Sequence, residues 1–187
     1  DLTMVNPKNR VVALGECISF LRAQPRISGL ARRPAIYWLS LLPLLAIINI
    51  YKRTLPLTVI LKLVGQSVKE LLWVLARPSA LVHRDLNYQN CFVTTDGLSL
   101  IDYQLTAYAD PLLEYAVILL KYYPDQSITK SLIKSSSYLQ LVNAPHGRLV
   151  LGFYLAVIGL YDLLLSDGRH AVTRPLLIKL SENRISL

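Results

Sequence analysis

Apolar side chains recur at Val11, Leu14, Ile18 and Leu21, spacings of three and four that place them on one face of a helix. Asn6-Pro7 precedes them, an N-cap followed by proline at the first helical position, so the pattern predicts an amphipathic helix over 7–23. Residues 24–34, QPRISGLARRP, are broken by proline and glycine and read as a loop. The next stretch, 35–51, is AIYWLSLLPLLAIINIY, without a charge and bracketed by Arg32-Arg33 and Lys52-Arg53. A bilayer span needs about 20 apolar residues, with about 17 as the lower limit. This stretch only reaches that limit, carries Pro43 and Asn49 inside it, and has basic residues on both flanks, so it lacks the one-sided charge that orients a span. A buried or interfacial helical hairpin fits it better. After Pro56 a second apolar helix is expected over 57–76, stopping at Arg77-Pro78 because proline cannot continue it.

The texture then changes. Ala80-Leu81-Val82 reads as a short strand, 83–90 (HRDLNYQN) is polar, and Cys91-Phe92-Val93 is apolar again. Asp96-Gly97 is a hairpin turn signal, and Leu98-Ser99-Leu100-Ile101 returns towards Asp102. Pro111 opens a helix reaching about Tyr123, and 127–142, 146–166 and 170–183 are expected to be helices. The apolar run 149–165 contains Asp162 and two glycines, which favours a core helix over a span. The chain is therefore expected to be α+β and mainly α: a helical bundle with one small β-hairpin, and no internal repeat.

Composition narrows this. With 53% hydrophobic and 17% charged residues in 187, and a mean hydropathy of +0.40, the chain is not a disordered segment. The net charge of +8 is carried by residues 1–80, which hold 11 Lys/Arg against Asp1, Glu16 and Glu70. The positives are scattered and lack the recognition-helix or aromatic context of a nucleic-acid binder, so no nucleic-acid partner is expected. Cys17 and Cys91 match neither a zinc nor a redox spacing. A disulfide scaffold is not expected, and a reducing, cytoplasmic setting follows, at most peripheral to the inner face of a membrane. Membrane association through 35–51 is an open but unfavoured alternative. The first residue is Asp1, which reads as a piece of something longer.

Three polar residues interrupt the apolar pattern where it would otherwise continue: Asp85, Asn90 and Asp102. Asp85 and Asn90 stand at the ends of one loop, and the hairpin folds Asp102 back beside Asn90. That grouping suits phosphoryl transfer, in which one carboxylate accepts or orients the proton of an attacking hydroxyl. A second carboxylate and an amide oxygen then hold magnesium, a hard cation that needs few protein ligands.

His83-Arg84-Asp85-Leu86 through Asn90 fits the H-x-D-x-x-x-x-N catalytic loop of kinases, and Ile101-Asp102-Tyr103 fits the metal-binding aspartate motif that follows it. No long activation loop or A-P-E motif comes next. Instead Ala109-Asp110-Pro111-Leu112-Leu113-Glu114-Tyr115-Ala116 follows, which resembles the G-D-P-L-x-D-L-A helix start of the aminoglycoside phosphotransferase and choline kinase-like family. The resemblance is clear over 80–120 and continues in the order of helices. It implies a kinase-like C-terminal lobe using ATP and Mg2+ to phosphorylate a hydroxyl of a small molecule of the aminoglycoside, sugar or amino-alcohol type.

Carried over by position, the resemblance implies Asp85 as catalytic base, Asn90 and Asp102 as magnesium ligands, and His83 as a prop under the loop. Glu114 stands where the family has an aspartate that hydrogen-bonds the catalytic-loop backbone. Arg84 is assigned no catalytic role. None of the eight glycines forms G-x-G, so the nucleotide clamp and the whole N-lobe are expected to lie outside this chain. Residues 1–6 would end a hinge, 7–79 form a helical part with an acceptor-site insertion at 25–60, 80–104 carry the catalytic loop and metal hairpin, and 105–187 supply C-terminal helices. The other reading is a non-catalytic kinase-like binding module associated with a membrane.

Overall fold

The computed structural model describes residues 10–32, 35–86, 89–94, 97–165 and 170–182. Helix α1 spans Arg10–Ala23, so the first three residues of the helix expected from Pro7, like the Asn6-Pro7 start signal, lie outside the described residues. Helix α2, Ala35–Tyr51, has the expected bounds. It turns through 52–56 into α3, Leu57–Lys69, and the two pack against each other as a helical hairpin. The single helix expected over 57–76 is broken. Glu70 has ψ near −5°, far from the helical value of about −42°, and a short α4, Leu71–Leu75, continues beyond it.

Strand β1, Ala80–Val82, pairs antiparallel with β4, Ala107–Ala109. The three residues of β4 are too few for periodicity to reveal, and sequence reasoning missed them. Strands β2, Cys91–Thr94, and β3, Gly97–Leu100, form the expected hairpin, with Cys91 opposite Leu100 and Thr94 opposite Gly97. The second strand ends at Leu100, two residues before Asp102. Between β3 and β4 runs one 3-10 turn, Tyr103–Leu105.

Helix α5, Pro111–Tyr122, starts as its sequence requires: Asp110 is the N-cap, its Oδ1 accepting from the Leu112 amide at 2.9 Å, and Pro111 occupies the first turn. The helix expected over 127–142 is two, α6 Gln126–Ile133 and α7 Ser136–Val142. Ser135 interrupts it, turning extended and capping α7 by accepting from the Tyr138 amide. Helices α8, Gly147–Leu165, and α9, His170–Ser181, complete the chain. His170 is thus the first residue of α9 and not a loop residue.

The core forms around α5 and α8, which pack on each other, with α2, α3 and α9 against α8 and with α1, α6, α7 and β1 against α5. Leu112, Leu113, Tyr115, Ala116 and Ile118 are shut from solvent, each large apolar side chain contributing about 1.5–3 kcal/mol. Helix α8 is long and apolar enough to cross a bilayer, yet it is the buried axis of the lobe. At Gly159 an added Cβ would lie 2.7 Å from the Leu177 side chain of α9, so a side chain there would have to displace Leu177. Asn49, in the middle of the apolar α2, is buried. Its Nδ2 donates to Leu45 O at 2.8 Å and to Leu160 O of α8 at 3.0 Å, while its Oδ1 accepts from Thr54. That polar residue ties the inward face of α2 to the lobe.

Candidate active site

The loop after β1 is polar because its backbone has no sheet partner, and one buried side chain supplies that partner. Glu114, in the first turn of α5, reaches the loop with both oxygens. Oε2 accepts from the amides of His83 at 2.6 Å and Arg84 at 3.0 Å, and Oε1 from Leu86 at 3.3 Å. The glutamate side chain thus makes the bonds to the loop backbone that the resemblance implies for this position. Glu114 is fully buried. Burial pushes its carboxyl above the ordinary range, and the amides of Arg84, His83 and Leu86, with the nearby His83 ring, pull it only part of the way back.

Within the braced loop, Asp85 is held from two sides. Its Oδ1 receives Lys121 Nζ of α5 at 3.3 Å, and its Oδ2 receives Asn90 Nδ2 at 3.3 Å, the same amide nitrogen also donating to Asp85 O at 2.9 Å. Because the nitrogen end of Asn90 is turned to Asp85, the oxygen end points away from it. Asn90 O accepts from the Ile101 amide at 3.0 Å, which extends the β2–β3 ladder by one pair and sets Asp102 next to Asn90. His83 secures the same corner from below. Its Nε2 lies 2.8 Å from Ile101 O, and a carbonyl can only accept, so Nε2 carries the proton; Nδ1 is buried without a partner.

Two residues of this corner have left-handed backbone, Arg84 at φ 69° and Asp102 at φ 62°. Aspartate tolerates that region better than most residues, but for arginine it is uncommon. Strain of this kind collects at functional sites, where surrounding structure over-determines it. Here Glu114 holds the Arg84 amide, while the Arg84 guanidinium lies 5.2 Å from the Trp38 ring of α2 and donates to Leu105 O.

Asp85, Asn90, Asp102, His83 and Glu114 thus lie at one corner; spacing predicts this for Asp85, Asn90 and Asp102, and the resemblance implies it for His83 and Glu114. Lys121 was missed, since a lysine in the last turn of a helix carries no motif signal. Also missed was the pair of Arg77 Nε with Asp110 Oδ2, 3.1 Å apart and almost wholly buried, which anchors the start of α5 to the chain just before β1. Among the described residues no group of three or more His, Cys, Asp and Glu could enclose a metal. The hard oxygens of Asn90 and the exposed Asp102 do fit Mg2+, which keeps several waters and binds through one or two carboxylates.

Adjacent to Asn90, Cys91 meets Cys17 of α1 with the two sulfurs 3.1 Å apart, both buried and both free thiols. The hydrogen bond with Cys17, and burial after it, push the Cys91 thiol well up, and it is the thiolate that reacts. In native buffer at neutral pH, iodoacetamide is therefore expected to leave both cysteines unmodified, and in denaturant to modify both, as counted by intact mass. Rapid native labelling of Cys91 would show that the loop opens.

A helical lobe in which a glutamate of a buried helix braces an H-x-D-x-x-x-x-N loop, with an aspartate set beside that asparagine by a hairpin, is the architecture of a kinase-like C-terminal lobe. A sequence profile of the phosphotransferase enzyme family matches residues 2–133, and the chain belongs to that family. Comparison with curated proteins gives no match. Among solved structures, the fold is similar to a thermostable mutant of the aminoglycoside phosphotransferase APH(4)-Ia in ternary complex with AMP-PNP and hygromycin B. The TM-score is 0.65 at 17% identity, over 97% of this chain and 68% of that one. It is also similar to the choline kinase LicA from Streptococcus pneumoniae, with a TM-score of 0.60 at 12% identity, over 97% and 66%. A third likeness is to ADP-bound aminoglycoside phosphotransferase APH(2'')-Ib, with a TM-score of 0.54 at 14% identity, over 97% and 67%. The chain spans about two thirds of the length of each.

Proposed function

We propose that this chain carries the catalytic half of an ATP- and Mg2+-dependent phosphotransferase whose acceptor is a hydroxyl on a small molecule. The observation that carries this reading is the Glu114-braced loop that presents Asp85 against Asn90, with Asp102 placed beside them by the hairpin. Asp85 accepts the proton of the acceptor hydroxyl as its oxygen forms the new bond to the γ-phosphorus and the bond to the ADP oxygen breaks. Lys121 and Asn90 hold the two carboxylate oxygens in place, so that the group needs little reorientation when the acceptor arrives. Asn90 and Asp102 would hold Mg2+, which neutralises charge on the nucleotide phosphates. Trp38, packed under Arg84, makes α2 a wall of the same corner, in keeping with an acceptor-site segment at 25–60.

The test is ADP release by the full-length protein from MgATP over a panel of aminoglycosides, sugars and amino alcohols. At least one acceptor is expected to raise ADP release well above the rate with water, and Asp102→Asn to abolish that increase. ADP release that no acceptor stimulates, or that Asp102→Asn leaves intact, would overturn the proposal in favour of a binding module.

A further inference from the structure

The helical hairpin α2–α3 presents an apolar face that no described residue of the lobe covers. Helix α2 buries Trp38, Leu42, Leu45 and Asn49 against the lobe, yet its other side is as apolar as the buried one. Ile36, Leu44, Ile47 and Tyr51 lie exposed at helical spacing, Ile47 with 63% of its surface in solvent. Helix α3 repeats this. Ile60, Leu63 and Ser67 face inward, while Leu57, Leu61 and Val68 face out, and Leu72 of α4 extends the row with 74% exposure. Both helices pack on α8, so their exposed rows turn away from the same underlying helix. Soluble chains seldom leave a contiguous apolar face of this kind without an occupant.

The charges around it name the occupant. Lys52 and Arg53 in the connecting turn and Lys62 and Lys69 on α3 are exposed. From residue 25 to 76 the chain holds seven Lys/Arg and a single acid, Glu70. A second copy of the same face would set these positive charges against one another, and like charges brought together oppose association. An apolar face rimmed by Lys and Arg suits a layer of anionic headgroups over hydrocarbon, the arrangement that holds amphipathic helices in the plane of a bilayer. We infer that the exposed face of α2, α3 and α4 docks on an anionic lipid bilayer, the helices lying in its interface and not crossing it. The inference goes beyond the phosphotransferase reading and does not depend on it.

Co-sedimentation of the full-length protein with phosphatidylcholine vesicles, with and without phosphatidylglycerol, tests this. Binding to the anionic vesicles is expected to exceed binding to the neutral ones at least about tenfold, and to weaken as salt is raised. An Ile47→Asp, Leu61→Asp double variant alters exposed side chains only, so it should keep the helical circular dichroism of the parent and lose vesicle binding. Lys62→Glu with Lys69→Glu changes charge without touching the apolar rows and should weaken binding to anionic vesicles alone. Equal binding to both vesicle types, no binding, or binding unchanged in either variant would overturn the inference. So would conversion of a dimer to a monomer by the double variant without vesicles, which would make a second copy the occupant.

Discussion

Asp85→Asn is expected to lower kcat for phosphoryl transfer to the acceptor by about two to four orders of magnitude, the usual range for loss of a general base, with KM for the acceptor nearly unchanged. Asparagine keeps the shape of the side chain and can still turn an oxygen to Lys121, but it cannot take up a proton at neutral pH. The fold should not feel the change. The Asp85 and Lys121 side chains are 39% and 27% exposed, and ion pairs of that exposure contribute about 0–1 kcal/mol. Steady-state kinetics of the full-length protein checks this, with urea unfolding as control. Activity within a few-fold of the parent would remove Asp85 from the role of base and leave the loop as a scaffold.

Glu114→Ala is expected to destabilise the protein by about 3–5 kcal/mol, among the largest effects of a single substitution. Three amides, of His83, Arg84 and Leu86, lose their acceptor together, and each unsatisfied buried donor costs about 1–3 kcal/mol. Glu114→Gln keeps the volume but presents an amide nitrogen to one of those donors, so it should fall between parent and alanine. The pH dependence has a definite sign. Burial raises the native carboxyl above its ordinary 4.5, so the native state binds the proton more tightly than the unfolded one. The associated stability is complete below the ordinary value and is lost as pH rises through the raised one. Asp110 is shifted in the same direction, chiefly by burial. Unfolding free energy from urea melts should decline from acid towards neutral pH in the parent and less so in Glu114→Gln. A steeper decline in the variant would mean that the three amides, and not burial, dominate.

Long periodic patterns were readable: α2 and α5 fell at their expected bounds within a residue, and the β2–β3 hairpin with them. The breaks were not. Glu70 and Ser135 interrupt helices whose apolar spacing runs on across them, because one residue leaving helical geometry does not disturb a pattern averaged over turns. Strand β4 was invisible because its reason for being a strand is β1, 27 residues earlier in sequence. At the site, the meeting of Asp85 with Asn90 and the return of the hairpin towards Asp102 could be read from the loop and hairpin pattern, whereas Glu114 was named only through the family resemblance. Lys121 and Arg77 could not, since a long flexible cation meets its partner through tertiary placement alone.

The suspension of the catalytic loop from α5 also bears on how the protein would fail on heating. Glu114 grips the loop from a helix whose inward side chains are the core itself, so the amides of His83, Arg84 and Leu86 stay held for as long as that helix does. Sites mounted on peripheral segments often lose activity at temperatures where the rest of the fold survives. On the phosphotransferase reading, thermal inactivation and loss of helical structure are expected to coincide, so that an assay of the full-length protein would gauge whether the lobe is folded.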